Sequence, residues 1–392
     1  MLPIKSGRLR RKSSAGASHA TEAGGGEPSS FGPPIEVPVP RARNELSYDR
    51  YLADSHRPAF DGMRGIGFLL VITAHIPSVL LFGYLQGWSA VWVFFVISGY
   101  LVTMLLKREE KGNGRVAFGA FLIKRFFRIV PSYWMAIFIY GLACFAIVPL
   151  PGDYERFMAR LPYYLAFVPE YADANGFSIF THSWTVGIEL KFYLLFPLAG
   201  FLIIKNDNWR IAATFMAGVL LIWEGSFPAQ SYCALLFGAM LAFLLERPRG
   251  YALAAMLTRV PAVVPLAMIA ALFAMLRYVE QFTVVSMVAA YVVAYAIIQQ
   301  GAMLRMLTWR PLAYLGQRSY GAYLLHFLAI RIGYMAFGSD TAVSGILTAC
   351  FCLAVTVPAA ELLYRAVERP GIGYGRRLLR NREQLRPDRP GP

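Results

Sequence analysis

Arg64 and His75 stand in one apolar stretch, FDGMRGIGFLLVITAH, and both are residue types that do chemistry inside a protein. A guanidinium grips a phosphate or carboxylate bidentately. A neutral imidazole is the usual general base near pH 7. On an α-helix their spacing amounts to three turns plus about 20°, which places both on one face about 16 Å apart along the axis. A charge inside a membrane costs about 2.5–3.5 kcal/mol even on the lenient insertion scale, so such residues are functional by default. The bland alternative is a snorkelling arginine and a hydrogen-bonded core histidine.

Other candidates follow along the chain. Glu189, in SWTVGIELKFY, falls at a depth similar to that of His75 from the same side of the membrane. A carboxylate there either holds the imidazole's tautomer or pairs with Lys191 or Arg331 for burial alone. In KRFFRIVPSYW, Arg125 and Arg128 form an i, i+3 pair. With Arg64 they make a cationic cluster suited to the phosphates of a nucleotide-containing donor from the cytoplasm. For Lys124 and Arg125, membrane topology alone is the competing explanation. His326, in SYGAYLLHF, either lines the donor end or packs as a satisfied histidine. Ser98, Gly99 and Tyr100 suit close helix approach and hydrogen bonding. His182, at the outer surface, has no partner that sequence identifies.

The elements that position these residues must be membrane helices. Of 392 residues, 57% are hydrophobic and 16% charged, with a mean hydropathy of +0.48, which excludes a soluble multidomain protein. The net charge of +15 does not imply nucleic acid, because the basic residues sit between apolar segments rather than on a soluble face. The expected fold is an all-α, polytopic integral membrane bundle of about ten transmembrane helices with both termini cytoplasmic. The expected spans are 62–82, 89–107, 126–149, 183–204, 209–224, 229–246, 260–276, 282–299, 320–337 and 343–364. The piece at 157–168 is short and holds Arg160 and Pro162, so it is expected in a loop. Of the 38 Lys and Arg, this arrangement leaves only Arg156, Arg160 and Arg277 in outer loops, as the positive-inside rule requires.

Residues 1–58 are expected to be a disordered basic tail without a signal peptide, 59–370 the membrane domain, and 371–392 a second disordered basic tail. Cys144, Cys233, Cys350 and Cys352 lie in apolar stretches and offer neither a disulfide framework nor metal-ligand spacing.

Five motifs in order give these residues a family likeness. FDGMRGIGFLLVITAH, VWVFFVISGYLVT, FLIKRFFRIVPSYW, HSWTVGIELKFYLLFP and LGQRSYGAYLLH, closed by VERP, run over residues 58–370. In these motifs the chain resembles the membrane acyltransferase-3 family, bacterial enzymes that acylate sugars and other extracytoplasmic acceptors. The resemblance implies an acyl-CoA donor, often acetyl-CoA, and no metal. It implies that Arg64 and His75 are essential, with Arg125, Arg128 and Glu189 contributing. Two departures are minor: KRFFR has fewer consecutive arginines than many members, and Lys191 stands where the family often has Gln. Some members carry a fused extracytoplasmic hydrolase-like domain; here the chain is expected to act alone or with separate glycan-assembly proteins.

The expected function is therefore O-acyl transfer across the bacterial inner membrane, from cytoplasmic acyl-CoA to a hydroxyl of a glycan or glycolipid. His75, Glu189 and Arg64 are the expected catalytic residues, and Arg64, Arg125, Arg128 and His326 the expected donor-binding ones. The expected partners are the acceptor and the lipid bilayer, with no nucleic acid. The rival is a proton-coupled secondary transporter of a small solute, which would show internal repeats and matching broken helices. Neither is present in the sequence.

Overall fold

The structure is a computed structural model that describes residues 45–54, 56–146, 153–172, 178–276 and 282–384. Helices α1 (Tyr48–Ala53), α2 (Pro58–Ala74) and α3 (Leu80–Tyr84) come first. They are followed by α4 (Ala90–Asn113), α5 (Phe118–Ala146) and α6 (Asp153–Leu165). Next are α7 (Trp184–Pro197), α8 (Asp207–Glu224), α9 (Phe227–Leu245) and α10 (Pro248–Leu257). The chain continues through α11 (Val263–Leu276), α12 (Phe282–Ile298) and α13 (Ala302–Leu307). It finishes with α14 (Arg310–Phe337), α15 (Ala342–Leu363) and α16 (Arg369–Gln384). Among the described residues there is no strand, only an isolated bridge between Glu45 and Gln299.

Five helical stretches are long and apolar enough to cross a membrane: Gly87–Asn113, Phe118–Ala146, Thr181–Ile203, Phe227–Leu245 and Ala342–Arg382. Shorter apolar helices, α11 and α12, stand beside them. The first expected span, 62–82, is not one helix. Pro77 disfavours a helical conformation at Ile76, so α2 stops at Ala74 and His75 becomes its C-cap, with φ −101° and ψ 8°. A separate short helix begins at Leu80.

Packing fixes the running directions. Phe60 meets Tyr100 and Gly67 abuts Phe94, so α2 and α4 are antiparallel. Gly316 abuts Asp61, Phe68 faces His326, and the Tyr334 hydroxyl donates to the His75 carbonyl at 2.9 Å, so α2 and α14 run parallel. We call the end where α2 starts the near end and the end where it stops the far end. A close helix contact joins α4 and α9. A Cβ on Gly99 would lie 1.9 Å from the Leu235 carbonyl oxygen, and one on Gly238 would lie 2.0 Å from that of Val96. Only glycines allow two backbones this close.

Of the piece at 157–168, residues 157–165 belong to α6, a helix within the connection from α5 to α7. This helix is amphipathic and packs back along the far half of α5, with Phe157 against Gly141 and the Tyr133 hydroxyl donating to the Tyr164 carbonyl at 3.2 Å.

Both expected tails are shorter than the sequence suggested. Residues 45–54 strap across the near end: the Leu46 N–H donates to the Ile298 carbonyl at 2.8 Å, and the Tyr48 hydroxyl to the Glu246 carbonyl at 2.7 Å. Tyr51 is fully buried and its carbonyl accepts from both Arg57 and Arg108. Burying tyrosine and satisfying arginine offsets the entropy that composition alone had assigned to disorder. At the other terminus, residues 369–384 form α16, with Gly371 and Gly375 seated on Phe127 of α5. The remaining residues of both tails lie outside the described residues.

Candidate active site

The polar residues gather in two places. At the near end, α2, α4, α5, α7 and α14 enclose a cavity of about 360 Å³ whose wall includes Arg64, Arg125, Arg128, Arg318, Glu189 and Tyr193. Each of these helices but α4 contributes a polar face because its apolar side is taken up by packing. Arg125 and Arg128 sit one turn apart on α5, and Arg64 faces them from α2. Arg318 is already occupied: it pairs with Glu361, and its guanidinium lies 3.8 Å over the Tyr364 ring. The other three are not. Among the described residues none of Arg64, Arg125 and Arg128 makes an ion pair or hydrogen bond, although Arg125 lies 5.1 Å over the Tyr193 ring. Three open guanidiniums in one wall form a site for a polyanion.

Glu189 belongs to this cavity and not to His75. The Ser98 hydroxyl donates to its carboxylate, and Ser98 and Tyr193 share a hydrogen bond of 2.5 Å. Depth along α7 suggested a meeting with His75, but the side chain points towards α4 and the arginines. The alternative partners fail as well. Lys191 pairs with Glu170, and Arg331 reaches Asp153 at 3.3 Å.

The histidines form the second place. The His75 and His326 ring centroids are 5.3 Å apart, and those of His182 and His326 are 5.0 Å apart. His326 therefore stands between the other two, and it does not line the cavity as expected. Backbone carbonyls of α14 set two of the tautomers. His326 Nδ1 lies 2.6 Å from the Tyr323 carbonyl and His182 Nε2 lies 3.2 Å from that of Leu324. A carbonyl only accepts, so both nitrogens carry hydrogen. The opposite nitrogens, His326 Nε2 and His182 Nδ1, are buried acceptors without a partner.

Tyr323 and Thr185 join the two places. Both line the inner wall of the cavity, and the Tyr323 hydroxyl donates to the His182 carbonyl at 3.1 Å. The Tyr323 ring lies 5.2 Å from His326. A cationic cavity thus ends one residue layer from three imidazoles. Among the described residues no group of His, Cys, Asp and Glu is disposed to hold a metal ion.

Comparison with known proteins gives the family of the chain. A family model described as an acyltransferase domain matches residues 57–365, most of the chain. The chain belongs to this family. A Staphylococcus aureus protein named as an O-acetyltransferase is 25% identical over 358 residues, covering 82% of this chain and 58% of its own length. The peptidoglycan O-acetyltransferase OatA of Listeria monocytogenes is 26% identical over 353 residues, covering 80% of this chain and 55% of its own. The chain thus spans a little over half the length of these relatives. Acyltransferase MdmB of Streptomyces mycarofaciens is 28% identical over 360 residues and is covered to 91%. No solved structure matches the chain.

Sequence reasoning found the cationic cavity but not the histidine cluster. Arg64, Arg125 and Arg128 come together as expected. Arg64 lines the cavity and His75 does not, because His75, the C-cap of α2, stands about 16 Å along the axis from Arg64, as their spacing implied. The residues missed were His182, Thr185 and the role of Tyr323. One signal was available: the chain has five histidines, and three of them fall in apolar segments.

Proposed function

We propose that the protein transfers an acyl group, with acetyl the expected one, from cytoplasmic acyl-CoA to a hydroxyl of an extracytoplasmic glycan such as peptidoglycan. The observation that carries this reading is the set of three unpaired guanidiniums in a cavity that closes against a histidine cluster. The near end is the donor side and faces the cytoplasm. The chain lies in the bacterial inner membrane with both termini on that side. Ten helices traverse it in alternating directions, the five long ones joined by α2, α8, α11, α12 and α14.

The donor's phosphates sit on Arg64, Arg125 and Arg128. Glu189, fixed by Ser98 and Tyr193, offsets part of their charge when the cavity is empty. The pantetheine arm covers the roughly 16 Å between Arg64 and His75, passing Thr185 and Tyr323 once these side chains move aside. His75 then removes the acceptor's hydroxyl proton as the oxygen attacks the thioester carbon. The C–O bond forms, the C–S bond breaks, and the proton passes from imidazole to the leaving sulfur.

The full chain in proteoliposomes with radiolabelled acetyl-CoA and peptidoglycan fragments tests this reading. His75→Ala is expected to lower transfer at least about 100-fold. Near-normal transfer by that variant would remove His75 from the chemistry. Uptake of solute without acylation would favour the transporter instead.

A further inference from the structure

The histidine between the other two is buried with one ring nitrogen lacking a donor. His326 is 0% exposed, its Nδ1–H is committed to the Tyr323 carbonyl, and its Nε2 has no partner. A buried acceptor left unpaired is unfavourable and uncommon. The groups packed around it are Tyr323 on its own helix, His75 from the end of α2, His182 before α7, Phe68 from α2 and Phe327. Cys352 of α15 places its sulfur 3.6 Å from the His326 carbonyl, and the Tyr140 hydroxyl of α5 accepts from the Leu328 N–H at 3.1 Å. The nearest ion pair on α14 is that of Arg331 with Asp153, more than a turn further on.

Of these groups, His182 commits its N–H to the Leu324 carbonyl, the Tyr323 hydroxyl to the His182 carbonyl, and the Cys352 sulfur to the backbone. His75 alone is an imidazole neighbour with no ring hydrogen bond among the described residues, and its ring is within a small rotation of contact, at 5.3 Å between centroids. Its backbone is held in place by Tyr334.

We infer that His326 is the positioning residue for His75: in the substrate-bound state, a His75 ring N–H donates to His326 Nε2, leaving the other His75 nitrogen bare towards the acceptor hydroxyl. This inference rests on the proposed role of His75 as base. The chain of groups runs from the Tyr323 carbonyl to His326 Nδ1–H, and from His326 Nε2 to His75 N–H. It does for His75 what a carboxylate or carbonyl does for a catalytic histidine elsewhere: it fixes the tautomer and stabilises the imidazolium that forms when the proton is taken. The hydroxyl proton moves to the bare His75 nitrogen and then to the thiolate; the hydrogen shared with His326 stays on His75. His326 is a neutral acceptor throughout and gains no net proton. Glu189, bonded to Ser98, is free of this task.

The test uses the full chain in nanodiscs with ¹⁵N-labelled histidine, in the wild type and in the variants His326→Phe and His326→Gln. Phenylalanine keeps a ring of similar shape without an acceptor; glutamine returns an acceptor oxygen. An acceptor that bonds the protonated form favours it, so its loss is expected to move the His75 titration midpoint to lower pH by about one unit. Glutamine should recover most of that shift. The neutral His326 signal should be that of the Nδ1–H tautomer. With acetyl-CoA as donor, His326→Phe is expected to lower kcat about tenfold to hundredfold, with KM for acetyl-CoA unchanged within a factor of about two and the acid limb of the rate profile following the NMR midpoint. A His75 midpoint that is the same in all three proteins overturns the inference, whatever the rates, because a purely structural histidine would change rates alone. If His75→Ala still transfers acyl groups, the reading of His75 as base has failed, and the NMR coupling decides separately whether the two imidazoles interact.

Discussion

Replacing Gly99 by alanine puts the close contact of α4 with α9 to the test. The new methyl carbon would fall 1.9 Å from the Leu235 carbonyl oxygen, with the Leu235 carbonyl carbon and Cα at 2.8 and 3.0 Å. All three are backbone atoms, so no side chain can rotate away. Restoring ordinary contact at 3.4 Å requires α4 and α9 to part by about 1.5 Å. Overpacking of this kind costs about 3 kcal/mol, and the better helix propensity of alanine returns about 0.5–1 kcal/mol. The net loss of about 2 kcal/mol corresponds to a melting temperature lower by roughly 5 °C. Function should suffer as well. Ser98 is the adjacent residue, and a retreat of that size takes its hydroxyl out of reach of Tyr193, now at 2.5 Å, and of the Glu189 carboxylate. Acyl transfer is therefore expected to fall about tenfold, one hydrogen bond to a charged group being worth about that much. Gly218 on α8 is the control, because a Cβ there meets nothing within 4 Å. Fluorescence-monitored melting of the purified protein, with release of thiol from acetyl-CoA, measures both effects. If Gly99→Ala melts with the wild type and keeps its rate, or if Gly218→Ala is equally damaging, the close-contact reasoning is wrong.

Arg125→Ala is expected to raise KM for acetyl-CoA about tenfold or more, the loss of one charge-assisted contact, and an unchanged KM in initial-rate assays would take Arg125 out of the donor site. Glu110→Gln weakens a bidentate pair with Arg210, whose side chain is 1% exposed and whose two contacts with Glu110 are both 2.6 Å. Melting should show a loss of about 3 kcal/mol, smaller when Arg210 is also replaced by methionine; equal losses in the single and double variants would argue against a buried pair. Tyr323→Ala removes the partition between cavity and histidines, so hydrolysis of acetyl-CoA without any glycan should rise several-fold. No rise in thiol release would mean that Tyr323 does not separate the donor from water.

What the sequence could disclose follows from geometry. Apolar runs locate helices, and helical periodicity places Arg125 and Arg128 on one face, so the cationic cavity was legible once Arg64 was counted with them. Depth within a span is also legible, because it is counted from the boundary. Rotation about the axis is not. Glu189 and His75 share a depth, yet Glu189 turns to Ser98 and Tyr193, and only packing between helices decides that. His75 itself shows the second limit. The helical count that put it on one face with Arg64 assumed an unbroken helix, while Pro77 ends α2 before the imidazole is reached. The N-terminal strap shows the third. Polar residues at 45–54 read as tail because their partners, Glu246, Ile298 and Arg259, lie far away in sequence.

Distance along α2 has a functional consequence of its own. His75 lies about 16 Å along the helix axis from Arg64, and Phe68, two turns before it on the same face, already packs against His326. His75 ends the helix as its C-cap and meets His326 and Phe327, apart from the cavity wall that holds Arg64, Arg125 and Arg128. Tyr323 and Thr185 line that wall on the side of the histidines. A base in the proposed transfer must accept a proton, and nearby guanidiniums disfavour further positive charge, so the site that grips the anion and the site that becomes cationic are better kept apart. The length of α2 is what separates them.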